Sequence, residues 1–333
     1  MDRLSCPAMP ARPERPSISC VMPAFNEAAN LPRVVPHVLN TLRALSDRVE
    51  IVVVDDGSSD ATPAVIRTLV AAHPELVYLR LSRNFGKEAA LTAGLDHARG
   101  DVVLLIDADG QHPVELVPRM LQMWRDGADM AVAIRRTRAD QTKLQAALTG
   151  LFYRLINWGS AFEIPAGAGD FRLMDRAVVR ALRALPERSR FMKGLYAWVG
   201  FETATLDYEP LARLAGRSRF GFTRALLLAL RGVLAFSIVP LRLMALTGAL
   251  LAAGALGYGL WVIVEYFTQG IEVPGYATIV VGMMFLSGIQ LLAIGVLAEY
   301  VGRIYEEVKQ RPGYLVRESA GGGLDGGAGG PSA

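Results

Sequence analysis

The chain is poor in cysteine, in histidine and in net charge, and each shortage removes a class of function. Its two cysteines, Cys6 and Cys20, lack metal-ligand spacing and cannot build a disulfide framework. A reducing, cytosolic setting for the main domain fits that usage. The four histidines are scattered. A net charge of +3 over 333 residues is too mild for a nucleic-acid binder, and no nucleic-acid motif occurs. Met1 to Ser17 is rich in Pro and Arg and has no apolar h-region, so it does not read as a signal peptide. The phosphate-cradling fingerprints are missing too. Gly86-Lys87 has no upstream glycine loop and is followed by Glu88, which excludes a P-loop. No Gly-x-Gly-x-x-Gly follows the first strand pattern, which argues against a dinucleotide site.

What the chain has in surplus is apolar residues. Hydrophobic residues make up 52% of it and the mean hydropathy is +0.29, high for a purely soluble protein. Leu243 to Val264 runs for about 22 residues without a charge, and Tyr276 to Ala298 for about 23, each enough to cross a bilayer. The loop between them, Glu265 to Gly275, has two acidic residues and no Lys or Arg. Arg224, Arg231 and Arg242 precede the first run; Arg303, Lys309 and Arg311 follow the second. The positive-inside rule then predicts both termini in the cytoplasm and the short loop outside. Thr223 to Val239 reads as a helix lying in the headgroup layer, or alternatively as an ordinary buried helix.

Before these runs, short β-rich segments alternate with helical patterns. Strands are predicted at Ser17–Met22, Glu50–Val54, Leu76–Leu81, Val102–Ile106 and Met130–Ile134. Helices are predicted at Glu27–Leu45, Asp60–Ala72, Lys87–Ala98 and Pro113–Arg125. This order predicts a doubly wound parallel sheet. Polar residues gather where the strands end: Asn26 and Glu27, Asp55 and Asp56, Arg83 and Asn84, Asp107 and Asp109. Ligands of such sheets bind at the carboxyl ends of the strands. The pattern therefore predicts a nucleotide cleft.

Val102 to Gln111 is the most telling stretch, because an apolar run of strand length ends in two carboxylates one residue apart. Asp-x-Asp there offers hard oxygen ligands for Mg²⁺ or Mn²⁺ and leaves positions for diphosphate oxygens. A plain polar turn would also use Asp and Gly. His112 beside it reads as a ligand or as an ordinary loop histidine.

Met22-Pro23-Ala24-Phe25-Asn26-Glu27, Val54-Asp55-Asp56-Gly57-Ser58-Ser59-Asp60 and Ile106-Asp107-Ala108-Asp109-Gly110-Gln111 together resemble family-2 glycosyltransferases of GT-A fold. Leu81-Ser82-Arg83-Asn84-Phe85-Gly86-Lys87-Glu88, Gly169-Asp170-Phe171-Arg172-Leu173 and Arg190-Phe191-Met192-Lys193-Gly194 look like the polyprenyl-phosphate branch of that family. That branch includes dolichol-phosphate mannose synthases and bacterial undecaprenyl-phosphate glucosyltransferases. The likeness runs from Ser17 to Val316.

The resemblance implies an α/β fold: a GT-A (Rossmann-like) nucleotide-sugar domain, then amphipathic interfacial helices and a two-helix transmembrane hairpin. The expected layout is a disordered segment over 1–16, the GT-A domain over 17–210 and an interfacial region over 211–240. The hairpin follows over 241–302, with spans near 243–265 and 276–298. A cytoplasmic helix and a disordered Gly-rich tail complete the chain over 303–333.

It also implies site residues. Pro23, Phe25 and Glu27 would line the base and ribose of a nucleotide-sugar, Asp55 or Asp56 would meet the base, and Asn84, Lys87 and Asp107 complete the donor set. Asp107, Asp109 and Gln111 would hold the divalent metal. Family loops often read Asp-Ala-Asp-Leu-Gln-Asp-Pro; here Gly110 and His112 depart from that pattern, which leaves the ligands intact. Asp109 and Asp170 are the expected catalytic residues, Asp170 as base or as an orienting charge. Arg172 would pair with Asp170 or touch phosphate. Arg135 and Lys143 match lipid-phosphate positions, and Arg217 and Arg219 precede the interfacial helix. The implied reaction is inverting transfer of a sugar, with UDP-glucose the first choice of donor, to a polyprenyl phosphate. Membrane lipids are the expected surroundings, and a homo-oligomer is compatible with the branch.

Two other readings compete. A processive polysaccharide synthase would carry Gln-x-x-Arg-Trp and more spans; the motif is absent. A membrane-tethered receiver-like signalling module is suggested by Val54-Asp55-Asp56. Receivers, however, place the acid pair after the first strand, and here it follows the second.

Overall fold

The computed structural model describes residues 12–135, 168–188, 190–209, 239–269 and 275–325. They divide into two compact units: a sheet domain, which takes in the C-terminal residues from Pro312, and a helical unit whose described residues are 239–269 and 275–311.

In the sheet domain the chain runs β1 (Ile18–Ala24), α1 (Leu31–Leu45), β2 (Val49–Asp55), α2 (Thr62–Ala72), β3 (Leu76–Leu81), α3 (Lys87–His97) and β4 (Val102–Leu105). A 3-10 turn (Val114–Leu116), α4 (Val117–Arg125) and β5 (Met130–Arg135) follow. Then come β6 (Ala168–Asp175), α5 (Arg176–Ala184), α6 (Met192–Trp198) and β7 (Thr203–Tyr208). The last strand, β8 (Val316–Ala320), comes from the far end of the chain and leads to a second 3-10 turn (Gly323–Asp325).

Local sequence accounts for these elements. Every residue of β2 and β4 is buried, as a strand covered on both faces requires. In α1, Leu31, Val34, Val35, Val38, Leu39 and Leu42 recur at helical spacing and turn one face inward. Helix α2 opens on Pro63, with Asp60 Oδ1 accepting the Thr62 N–H at 2.9 Å.

The sheet has eight strands in the order β7-β5-β6-β4-β1-β2-β3-β8. β1, β2, β3 and β4 pair in parallel, as the alternating pattern predicts. The sheet is nevertheless mixed. β6 is antiparallel to both β4 and β5, β7 is parallel to β5, and β8 is antiparallel to β3. The expectation of an all-parallel sheet fails because β6 returns between β4 and β5 in the opposite sense.

The second departure is the tail. Composition points to disorder from Ala320 onward, yet Ala320 is the last residue of β8 and Gly323–Asp325 form a 3-10 turn. β8 pairs with β3 from Tyr78↔Ala320 to Leu81↔Val316, so β3 is not an open edge. Ser82 N donates to Leu315 O at 2.8 Å, and Tyr314 Oη bonds Asp96 Oδ2 at 2.8 Å. Arg67 grips Glu318 through two hydrogen bonds of 2.8 and 2.7 Å. That ion pair is exposed and adds little, so the ladder holds the strand.

Gly321 closes β8 at φ +93°, and a Cβ there would stand 2.0 Å from Leu76 O. Gly321→Ala is therefore expected to unseat the tail while the rest of the sheet stays folded. Amide hydrogen exchange checks it: protection at Ser82 and 316–320 falls in the variant, and unchanged protection contradicts this account.

The helical unit is described by two helices, α7 (Val239–Gln269) and α8 (Tyr276–Val308). α7 continues through Glu265 to Gln269, so the connection between the helices is shorter than the charge pattern suggested. Two windows, Met244–Trp261 and Gly282–Val308, are long and apolar enough to cross a membrane, and neither is buried. Leu256 is 76% exposed, Phe267 81% and Met284 72%, which separates these helices from the core helices of a soluble domain. Apolar surface of this extent marks the chain as membrane-associated. The segment 211–238, with Arg224 and Arg231, lies outside the described residues.

Candidate active site at the carboxyl edge of the sheet

Strands β1 to β4 deliver their following loops to one edge, and the loops are tied to one another. Asn26, at φ +57°, accepts the Ser59 N–H at 2.9 Å through Oδ1 and donates its own N–H to Ser58 Oγ at 2.9 Å. Glu27 N donates to Thr62 Oγ1 at 2.9 Å, and Glu27 Oε2 accepts from Asn30 Nδ2 at 2.6 Å. Pro23, Phe25 and Glu27 are half-buried along this rim, and Asn84 is exposed on the loop after β3.

Asp55 and Asp56 are both buried, and both hold the protein's own loops. Asp55 Oδ1 accepts the Ser58 N–H at 2.8 Å, while Oδ2 meets Tyr78 Oη at 3.2 Å and Arg80 Nε at 3.6 Å. Asp56 accepts the Phe85 and Gly86 N–H groups at 2.7 and 2.9 Å. Burial pushes the Asp56 carboxyl up despite these two donors. The pair thus shapes the loop leading to Lys87, a duty that spacing alone did not reveal.

The antiparallel return of β6 brings the acids together. β4 and β6 pair as Val102↔Asp175 through Leu105↔Arg172. Continuing that register by two residues sets Asp107 opposite Asp170. Lys87, in the first turn of α3, stands between them, with Nζ 2.7 Å from Asp107 Oδ1 and 2.7 Å from Asp170 Oδ2. Asp107 Oδ2 lies 2.9 Å from the same ammonium and 3.4 Å from His112 Nε2. Asp109 Oδ1 accepts the Gln111 N–H at 3.1 Å. Gly110 sits at φ +72°, a conformation that suits glycine.

The electrostatics follow. Burial works against charge on Asp107, but Lys87 and then His112 outweigh it and hold that carboxyl well below its usual range. Burial likewise opposes charge on Asp170, while Lys87 and Lys193 pull its pKa down. Lys87 resists the burial that would lower it, because Asp107 and Asp170 hold its proton. Arg172 is not the nearest cation to Asp170. It is buried, donates to Gly169 O at 2.6 Å and stacks 3.5 Å over the Tyr196 ring.

Glu88, quoted in the motif without a role, is the residue that sequence reasoning passed over. Its Oε2 accepts the Met192 N–H at 3.0 Å, tying α3 to α6. Burial, then the charge of Asp170, push its pKa from 4.5 up to about 7. The native state therefore holds this proton more tightly than the unfolded chain between those two values, and stability falls as pH rises across that window. Glu88→Gln keeps an acceptor for Met192 and removes the charge. Its melting temperature should gain on the wild type's in going from pH 5 to pH 8. An equal gap at both pH values contradicts the assignment.

Asp107 and Asp109 bring two carboxylates, hard oxygen donors of the kind divalent cations take, to one loop. Among the described residues no group of three His, Cys, Asp or Glu side chains could hold one, so an ion here would rest on Asp107 and Asp109, with Gln111 beside them. Mg²⁺-type ions are commonly held by one or two carboxylates, with substrate phosphates and water completing the shell. Arg135 lies at the same edge, in register with Tyr208 across β5 and β7. Lys143, Arg217 and Arg219 lie outside the described residues.

Comparison with known proteins shows the family. Residues 19–183 match the family model "Glycosyl transferase family 2", and residues 239–304 match "GtrB C-terminal hairpin". The SfII prophage-derived bactoprenol glucosyl transferase of Shigella flexneri is 44% identical over 91% of this chain and 98% of its own length. The prophage bactoprenol glucosyl transferase homolog of Escherichia coli is 43% identical over 90% of this chain and 98% of its own. Among solved structures, the mannosyltransferase PcManGT from Pyrobaculum calidifontis, in complex with GDP-Man and Mn²⁺, matches 86% of this chain and 87% of its own. Its TM-score is 0.43 and its identity 18%, too distant for its ligands to inform this site. The fold and the edge cluster define a glycosyltransferase of the GT-A type. The chain belongs to glycosyl transferase family 2, and its second unit is the hairpin that accompanies it.

Proposed function

We propose that this enzyme transfers a glucosyl unit from UDP-glucose to a polyprenyl phosphate at the cytoplasmic face of the inner membrane, with inversion at the anomeric carbon. The observation that carries the reading is the meeting of Asp107, Asp109, Lys87 and Asp170 at one sheet edge, in a chain that also has two exposed apolar helices. Relatives named as bactoprenol glucosyl transferases support the lipid acceptor and the sugar.

Each residue has a role that its environment suits. Pro23, Phe25 and Glu27 line the nucleoside, and Asp55 and Asp56 hold the loops that shape its pocket. Asp107, Asp109 and Gln111 would hold Mg²⁺ or Mn²⁺, and the ion would supply Lewis-acid stabilisation of the negative charge on the leaving diphosphate. Lys87 brings a positive charge to the same place, where negative charge grows on the leaving group.

The acceptor is already a nucleophile, since a phosphate monoester loses its second proton near pH 6. Asp170 therefore need not act as a strong base. Its depressed pKa makes it a poor one at neutral pH, and an ionised carboxylate suits orienting the sugar and steadying an oxocarbenium-like centre. Arg135 contacts the lipid phosphate, with Lys143, Arg217 and Arg219 supplying further cations.

The test is to incubate membranes containing the enzyme with undecaprenyl phosphate and a panel of radiolabelled sugar nucleotides, with and without Mn²⁺. Label should enter the lipid phase from UDP-glucose, and only when metal is supplied. Label from a different donor replaces the sugar assignment. Transfer to water-soluble acceptors alone overturns the lipid assignment.

A further inference from the structure

His112 is held more firmly than a loop histidine needs to be. Its ring stacks on Phe171, with centroids 4.8 Å apart and planes at 29°. Its Nδ1 lies 3.2 Å from Tyr208 Oη, and its Nε2 lies 3.4 Å from Asp107 Oδ2. Phe171 also meets Tyr208 edge-on at 6.0 Å. Three strands thus converge on one imidazole: β4 through the loop that carries His112, β6 through Phe171 and β7 through its last residue, Tyr208.

The contacts agree on a proton arrangement. Tyr208 donates its hydroxyl proton to Nδ1, which leaves the proton on Nε2 to be donated toward Asp107. Both partners of the ring are buried, Phe171 completely and Tyr208 to within 9%, so neither wall gives way easily.

Lys87 cannot do the same job. Its ammonium is a compact charge on a flexible stem, and it attracts Asp107 without setting the plane of the carboxylate. A wedged imidazole has a fixed direction.

We propose that Tyr208 and His112 form a positioning relay for Asp107, fixing the orientation in which that carboxylate meets the divalent cation. The proposal rests on the metal role of Asp107 given above and assigns its control to two residues outside the ligand set. Outer-shell partners of this kind are worth about 10–100-fold in metal affinity. Because Phe171 directly follows Asp170, the same stack links the metal-side acid to the strand bearing the sugar-side acid.

Mn²⁺ binding to the full-length chain in detergent, followed by the loss of the free-ion EPR signal in the presence of UDP or GDP, tests this without relying on turnover. His112→Phe keeps the stack on Phe171 and removes both hydrogen bonds; it should weaken Mn²⁺ binding about 10–100-fold with little change in melting temperature. His112→Gln returns an N–H donor near the place of Nε2 and should restore most of the affinity. Tyr208→Phe removes only the outer bond and should cost about 2- to 10-fold.

Wild-type affinity in both His112→Phe and Tyr208→Phe overturns the relay. If His112→Phe fails to fold, Tyr208→Phe decides alone: weakened binding supports the relay, and unchanged binding overturns it. A melting temperature that drops in parallel with affinity in every variant, His112→Gln included, assigns these residues to packing and also overturns it. A wild-type chain that takes up no Mn²⁺ with either nucleotide sinks the metal reading itself, a result distinct from the others.

Discussion

Asp109→Ala should lower glycosyl transfer by at least about 10²-fold while the domain stays folded. Asp109 is half-buried on the loop after β4, where its Oδ1 accepts the Gln111 N–H. Losing a bond of that kind costs about 0.5–1.5 kcal/mol, well within what a domain of this size tolerates. The buried residues on either side, Ile106 and Ala108, keep the loop seated in the core. What disappears is half of the carboxylate pair available to a cation beside the diphosphate. Transfer into undecaprenyl phosphate and thermal unfolding, measured on one preparation, separate the two effects. Full turnover in this variant refutes the metal assignment.

Lys87→Met should lower transfer by about 10²-fold, and its effect should not multiply with that of Asp170→Asn. In the wild type one ammonium touches both Asp107 and Asp170 at 2.7 Å. Without it the two carboxylates keep only His112 and Lys193 as counter-groups, and like charges at that range oppose ionisation of the pair. The Lys87 side chain is 42% exposed, so water screens part of the loss and stability should change little. Asp170→Asn removes one of the repelling charges, so the double variant should retain more activity than the product of the two single losses predicts. Residues that share a partner couple in this way, and distant ones do not. A strictly multiplicative double variant would show that Lys87 and Asp170 act independently.

Much of this site could be read before any coordinates. The buried runs of β1, β2 and β4 announce themselves as apolar segments of strand length, and each ends in polar residues at a sheet edge. That pattern is local, so Asn26, Asp55, Asp56, Asp107 and Asp109 fall at one rim by topology alone. The two apolar helices are equally plain, because length and composition suffice to find them.

Other features depended on partners far apart in sequence. Asp55 and Asp56 read as contacts for a base and equally as part of a turn leading to the Asp60 cap; the atoms that meet them belong to Ser58, Tyr78, Phe85 and Gly86. Glu88 has no signal beyond its place in a motif; its importance comes from a backbone N–H 104 residues later. The tail's composition predicts disorder because glycine carries no side chain to bury. Its first residues are nonetheless ordered, because β3 offers a row of backbone groups that β8 pairs with up to Ala320, and the Gly323–Asp325 turn follows.

The sequence by itself determined the parallel half of the sheet, the acid-bearing loops at its edge and the apolar helices, because each is written in a short window of neighbouring residues. Only the tertiary structure decided that β6 returns antiparallel beside β4, which sets Asp170 across from Asp107 with Lys87 between them and leaves His112 wedged against Phe171. The reason is physical. Periodicity and turn chemistry act over a few residues, whereas strand pairing and ion pairing act between atoms that the chain brings together only once its core has closed.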